Sequence, residues 1–336
     1  MLRELKQRLL PKGAHRTWHD LRNRIVRRVT ARRLADDLRR LGLAEGDLVC
    51  VHTALNAVGY LVHGPDTVID ALGAVVGERG TVMMPTFSGG DSTYRYVTSA
   101  PPPFDPRSTP STTGALPERF RRCPGVLRSL HPTHSVAARG PLAEELVRGH
   151  ERSETPFGDG TPYARLLGSG GKVLLVNTNG NSVLHRMEEQ MGWPNLFRDE
   201  RFTLPVVAPE GVRQVRTAVH SAGIFHKMVL PGAKPGDLRL LHMPWYALQF
   251  MFLEPELAEF AELRPDVAAE LAGRQAWFTE QGIVHFGPVG YAQAALLDAS
   301  RFCGRIANDL RAHLAVHRAL YEPARLEALG ATRSPH

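Results

Sequence analysis

Cysteine is scarce in this chain. Cys50, Cys123 and Cys303 are its three cysteines in 336 residues, an odd number with no C-x-x-C spacing. That argues against a disulfide framework and against a cysteine zinc site, and makes the cytoplasm the expected compartment. No apolar run reaches the roughly 18 residues that a membrane span needs, so no membrane partner is expected. The basic N-terminal stretch lacks a following apolar block and a small-residue cleavage site, so it does not read as a secretory signal. Zinc-finger spacing, RNA-binding aromatic motifs and a basic zipper are all missing. The net charge of +7 therefore does not by itself point to nucleic acid. Most of that charge sits at one end: residues 1–40 hold 13 Lys or Arg against 4 Asp or Glu, and the remainder 28 against 30. It reads as a solvated basic arm.

What is present is a hydrophobic share of 43% over a length that suits one large domain or two modest ones. Thr30 can cap a helix that puts Leu34, Leu38 and Leu41 on one face. Asp47–His52 follows as a buried strand, Pro65 opens a second amphipathic helix, and Thr81–Pro85 reads as a second strand. This strand–helix–strand order is that of an α/β sheet, whose ligand sites lie at strand ends. Lys172–Asn177 is a third buried strand and Asn181–Gln190 a helix. Phe202–Val207 and Val212–His220 form an antiparallel pair around a Pro-Glu-Gly turn. Gly282–Phe286 reads as a strand and Val289–Leu310 as one long Ala-rich helix.

Four segments hold most of the polar residues that look placed for chemistry. In residues 51–72 a strand ends in His52-Thr53, a Gly-containing loop follows, and a helix start comes next. Free backbone N–H groups there suit an anion such as a pyrophosphate, although such turns are also common without a ligand. MPTFSGG presents Thr86 and Ser88 just after a strand. LHPTHSVAARG carries His131, His134 and Ser135. In TNGNSVLHRMEEQ, His185 and Glu188 are three residues apart and so share a helical face. A carboxylate beside an imidazole fixes its tautomer and stabilises its cation, as a general base requires. The plainer alternative is a surface hydrogen bond.

Together the four segments resemble the aminoglycoside 3-N-acetyltransferase (antibiotic N-acetyltransferase) family over roughly residues 34–305. The resemblance runs through LADDLRRLGLAEGDLVCVHTALNAVG, GPDTVIDALGAVVGERGTVMMPTFS, FDPRSTPSTTGALPERF, RSLHPTHSVAARGP, ETPFGDGTPYARLL, LLVNTNGNSVLHRMEE and GPVGYAQAALLDASRF, in that order. It implies a three-layer α/β/α sandwich with an additional β-rich subdomain within about residues 200–285. The acyltransferase domain would span 29–320, after a basic arm at 1–28 and before a tail at 321–336. The resemblance implies acetyl-CoA as donor, a primary amine as acceptor and no metal. His185 and Glu188 match the family's catalytic pair. The CoA-contacting positions would be His52, Thr53, Ala54, Val58, Gly59, Thr86, Phe87 and Ser88, with His131 and Ser135 lining the same cleft. His134, Glu189 and His220 fall on the acceptor side. Two positions depart from the family pattern: Asn179 with Asn181-Ser182 stands in its D-x-N-T stretch, and Met187 replaces Ala in its H-x-A-E.

The chemistry expected from these residues is direct transfer. The amine must be neutral to attack a thioester, and His185 would take its proton while Glu188 orients the ring. The acceptor is either the 3-amino group of a 2-deoxystreptamine aminoglycoside or another, biosynthetic amine. A basic arm could also dock an acidic acyl carrier protein. Two other classes stay open: a metal-dependent hydrolase using His131, His134, His185, Glu188 and His220, and a binding protein that kept the fold. Cys50 lies inside an apolar strand, which favours core burial over a nucleophile.

Overall fold

A computed structural model describes residues 27–90, 92–193, 196–220 and 265–317. The basic arm before residue 27 and the tail from 321 lie outside the described residues, as do residues 232–264 of the 232–280 stretch expected to mix helices and loops.

The chain enters through a short strand, β1 (Arg28–Val29), and a helix, α1 (Ala31–Leu41). Thr30 caps that helix as expected, its hydroxyl accepting from the Arg33 N–H at 3.3 Å. Gly42 closes it in a left-handed turn, φ +104°, that costs a glycine little. Then come β2 (Leu48–Thr53), α2 (Leu55–Val58), β3 (Tyr60–Leu61), α3 (Pro65–Val76) and β4 (Thr81–Pro85). The long loop that follows is not featureless: it holds α4 (Thr93–Thr98), capped by the Ser92 hydroxyl. Next are α5 (Ala115–Phe120), β5 (Leu127–Arg128), β6 (Val136–Arg139), α6 (Ala143–Val147), α7 (Pro162–Gly168), β7 (Lys172–Val176) and α8 (Val183–Gln190). A two-stranded ribbon, β8 (Phe197–Ala208) with β9 (Gly211–His220), stands apart from the main sheet. The described chain closes with α9 (Pro265–Glu280), β10 (Val284–Val289), β11 (Ala292–Asp298) and α10 (Ala299–His317).

The main sheet has seven strands in the order β10-β11-β7-β2-β4-β6-β5. The pairs β2–β4 and β2–β7 are parallel and the others antiparallel. Period-2 alternation splits the sheet residues between two cores. Val49, Val51, Met84, Leu174 and Val176 face α1, α3 and α5. Cys50, Met83, Val173 and Leu175 face α6, α7, α8 and α10. Helices on both faces of one mixed sheet make the expected α/β/α sandwich. The β8–β9 ribbon is added to it, bonded through Phe104 N to Pro205 O at 2.8 Å and Ala218 N to Glu154 O at 2.7 Å.

One expected element is corrected. Val289–Leu310 is not a single helix, because its first part is the strand β11, paired on both sides. Ala292, Ala294 and Leu296 enter one core while Ala295 and Leu297 enter the other. A strand covered on both faces reads as a continuous small-and-apolar run, and Ala there mimics a helix-former. The turn before it needs a glycine: Gly290 has φ +66°, and a Cβ there would stand 2.5 Å from the Val58 carbonyl oxygen.

This topology decides where chemistry can sit. β2, β4 and β7 run parallel, so their carboxyl ends share one edge of the sheet. β6 runs the other way, so its leading segment, His131–Ser135, arrives at that same edge beside Pro85. All four polar segments of the sequence converge there, as binding residues do in open α/β sheets.

Candidate active site

The pair His185–Glu188 forms on the first turns of α8. The Asn181 side-chain oxygen accepts from the Val183 N–H at 3.2 Å and fixes the helix start. His185 Nδ1 lies 2.8 Å from Glu188 Oε2. The carboxylate is 1% exposed and the imidazole 24%, so the acid is a buried prop and the base reaches the cleft. Burial pushes the His185 pKa down, but the charge and hydrogen bond of Glu188, with Glu189 beyond, outweigh it and hold the pKa above its ordinary value. With Nδ1–H donating to the carboxylate, the lone pair falls on Nε2.

Glu189 points at the same cleft but serves another segment. It accepts from the Thr155 hydroxyl at 2.7 Å and from the Phe157 N–H at 3.1 Å. Burial raises its pKa to about 7 against those bonds and the nearby charges of Arg186 and His185. The effect is to draw in Phe157, a fully buried ring that becomes the hub of the site. Its centroid lies 5.1 Å from His185, 5.4 Å from His134, 5.4 Å from His220 and 4.7 Å from Tyr163. His220, from the end of β9, packs 4.8 Å from the His185 ring and 4.7 Å from Phe197, with Nε2 at 3.9 Å from Glu189 Oε1.

The HPTHS segment forms the opposite wall. His134 N–H donates to His131 Nδ1 at 3.0 Å, and the Thr133 hydroxyl lies 2.8 Å from His134 Nδ1. His131 reaches the ribbon through Thr217, 3.3 Å from its Nε2. Behind it His150 stacks at 4.6 Å, bonded to Ser129 and to the Pro156 carbonyl. Burial first, then the neighbouring imidazoles, holds His134 near 3 and His131 well below an ordinary imidazole, so both are neutral. His52, at the end of β2, lies on the same sheet face as Cys50 and is held near 4 by burial and by the charge of His185. Cys50 sits 3.6 Å from that ring, and burial pushes its thiol far up, so it is no nucleophile.

The remaining sequence candidates divide. Phe87 joins the cleft wall, 4.6 Å from the His134 ring. Ser88 is 7% exposed, and its hydroxyl has no hydrogen-bond partner among the described residues. Thr86 and Ser135 are tied into a brace: both hydroxyls accept from Arg128 Nε, and Ser135 donates to the Thr86 carbonyl at 2.6 Å. Thr53 faces the opposite core, lining a small apolar cavity with Val51, Val58 and Val176. Ala54 N–H donates to the Val176 carbonyl at the sheet edge. Gly59 is wedged where a Cβ would meet Tyr291 at 2.8 Å and the Arg27 carbonyl at 2.9 Å. The sequence alone does not single out Phe157 and Thr155, which only the folded chain brings to Glu189 and His185 on α8, or Thr133 and His150, whose roles rest on contacts with His131 and His134.

Among the described residues no three His, Cys, Asp or Glu side chains are arranged to hold a metal ion. No described helix is long and apolar enough to cross a membrane.

The sequence model described as aminoglycoside 3-N-acetyltransferase matches residues 50–310. Over 174 residues the chain is 42% identical to aminoglycoside N(3)-acetyltransferase VII of Streptomyces paromomycinus, covering 48% of this chain and 60% of that protein. It is 35% identical over 220 residues to aminoglycoside N(3)-acetyltransferase III of a Salmonella species, covering 60% and 76%. The chain thus spans about three fifths of the length of the first curated relatives it matches. Among solved structures, AAC-IIIb in its binary complex with CoASH superposes with TM-score 0.61 at 27% identity, over 85% of this chain and 97% of that one. Sisomicin-bound AAC-VIa superposes with TM-score 0.64 at 27% identity, over 85% and 98%.

Proposed function

The chain belongs to the aminoglycoside 3-N-acetyltransferase family, and from that premise we propose that it moves an acetyl group from acetyl-CoA to the 3-amino group of a 2-deoxystreptamine aminoglycoside. The observation that carries the reading is the His185–Glu188 pair, 2.8 Å apart, facing an aromatic cleft where three parallel strands end. His185 Nε2 takes the proton of the attacking amine, and Glu188 steadies the imidazolium that results. Such general-base help is worth about 10²–10⁴-fold. The aromatic walls of Phe157, fully buried, and Phe87, half-buried, keep water from competing for the thioester. The donor fits this edge of the sheet: the loops after β2 and β4 flank it, and the Ser88 hydroxyl is a buried polar group still lacking a partner among the described residues. Acetyl-CoA as donor places the reaction in the cytoplasm.

The test is thiol release from acetyl-CoA across a panel of aminoglycosides and unrelated amines, with the product's acetylated nitrogen assigned by mass spectrometry and NMR. Acetylation at the 3-amino nitrogen is expected. No thiol release with any aminoglycoside, or acetylation at a different nitrogen, overturns the reading.

A second reading, another amine as acceptor, draws on one feature. Of the carboxylates beside the cleft among the described residues, Glu188 is buried and bonded to His185, and Glu189 is bonded to Thr155 and Phe157. Aminoglycosides are polycations and favour carboxylates around them. Turnover with the unrelated amines alone would establish that reading, and the same panel run with an acylated carrier protein tests the alternative donor.

A further inference from the structure

We propose that His134 is a second catalytic residue, whose Nε2–H donates to the thioester carbonyl oxygen as negative charge develops there. The proposal rests on the acetyl transfer argued above and adds the electrophilic half of the reaction. In that step the amine nitrogen bonds to the carbonyl carbon and the C–S bond breaks. The amine proton passes by way of His185 to the leaving sulfur, and His134 keeps its own proton throughout.

Three features of the geometry assign this role. The first is the tautomer. The in-plane lone pair of His131 Nδ1 is already taken by the His134 N–H at 3.0 Å. The Thr133 hydroxyl proton is therefore left for His134 Nδ1, at 2.8 Å against 3.3 Å to His131. An imidazole that accepts at Nδ1 carries its proton on Nε2. The second is placement. The His134 ring is 7% exposed and packed between Phe87 and Phe157, the same Phe157 ring that carries His185. The hydrogen bonds of His134 among the described residues are made through Nδ1 and the backbone N–H, not through Nε2. The third is the engagement of three neighbouring hydroxyls. The Thr86 and Ser135 hydroxyls are occupied by Arg128, and Thr53 faces the opposite core. A neutral donor suits the position, because an imidazolium would repel both the protonated base and a cationic acceptor. Burial holds this ring's pKa near 3, on the neutral side. Pre-aimed donors of this kind act on charge that appears only in the transition state.

The test compares His134→Leu, which deletes the donor, with His134→Gln, whose amide N–H can occupy the same place. His134→Leu should lower kcat by about 10²–10³-fold while the KM values for both substrates hold. His134→Gln should recover most of that loss. An unchanged kcat in His134→Leu, or a loss confined to the acceptor KM, overturns the assignment. If the leucine variant unfolds by near-UV circular dichroism, Thr133 decides: Thr133→Val, which frees the tautomer, should lower kcat, and Thr133→Ser should not. A Thr133→Val enzyme equal to wild type overturns the proposal. Imidazole ¹⁵N spectra of the unaltered protein read the ring separately from activity. A neutral Nε2–H form between about pH 5 and 8 is expected, and an Nδ1–H form overturns the proposal. Absence of wild-type turnover instead sinks the acetyl-transfer reading while that spectrum still reports on the ring.

Discussion

Replacing Glu188 by Gln keeps the size and one acceptor oxygen of the side chain but removes its charge. The carboxylate lies 2.8 Å from His185 Nδ1 and is 1% exposed, so solvent screens it little. A hydrogen bond to a charged group of this kind is worth about 1.5–3 kcal/mol. At 1.36 kcal/mol per tenfold, losing it weakens the imidazolium by about 10–100-fold. Two consequences follow from that one number. The acid limb of kcat against pH, which reports the protonation of His185, should move down by about one to two pH units, because the carboxylate is what holds this pKa above its ordinary value. On the plateau above the limb, kcat should fall by about 10–100-fold, since the imidazolium formed as the amine attacks has lost the same support. The assay is continuous thiol detection with saturating acetyl-CoA and acceptor across the pH range. A variant whose limb stays in place, or whose plateau rate is unchanged, refutes the claim that Glu188 acts through His185.

Three further outcomes are expected. His185→Ala should lose about 10²-fold or more in kcat while CoA binding, read by calorimetry, persists; unchanged turnover removes His185 from its role. Glu189 has its pKa raised to about 7 on folding from an unfolded value of 4.5, so the folded chain binds the extra proton between those values. Wild-type stability therefore falls with rising pH through that window, and the Tm difference should shift toward Glu189→Gln from pH 4.5 to 7; a constant difference contradicts the coupling. Gly290→Ala should lower Tm, because the added Cβ meets the Val58 carbonyl at 2.5 Å in a turn of positive φ; a wild-type Tm shows that the β10–β11 turn can move.

The elements that carry the site were legible because their signals are local. Thr30 as a cap, Pro65 at a helix start, and the apolar runs of β2, β4 and β7 stand in the structure close to where the sequence puts them. His185 and Glu188 were readable as a pair because helical spacing alone sets their contact. The strand β11 was not, since a strand buried on both faces loses its alternation and its alanines imitate a helix. Nor was the role of Phe157. It lies in a segment rich in turn residues, and its contacts reach His134, His185 and His220 from three separate parts of the chain. The different duties of Thr53 and His52, adjacent in sequence, follow from the pleat, which turns one to each face of the sheet.

The most direct measurement is a crystal structure of the ternary complex with CoA and an aminoglycoside. The account predicts the 3-amino nitrogen within about 3.2 Å of His185 Nε2, or one water away, with pantetheine reaching the same cleft between the loops after β2 and β4. An acceptor amine out of reach of that nitrogen, or pantetheine on another face of the sheet, contradicts it.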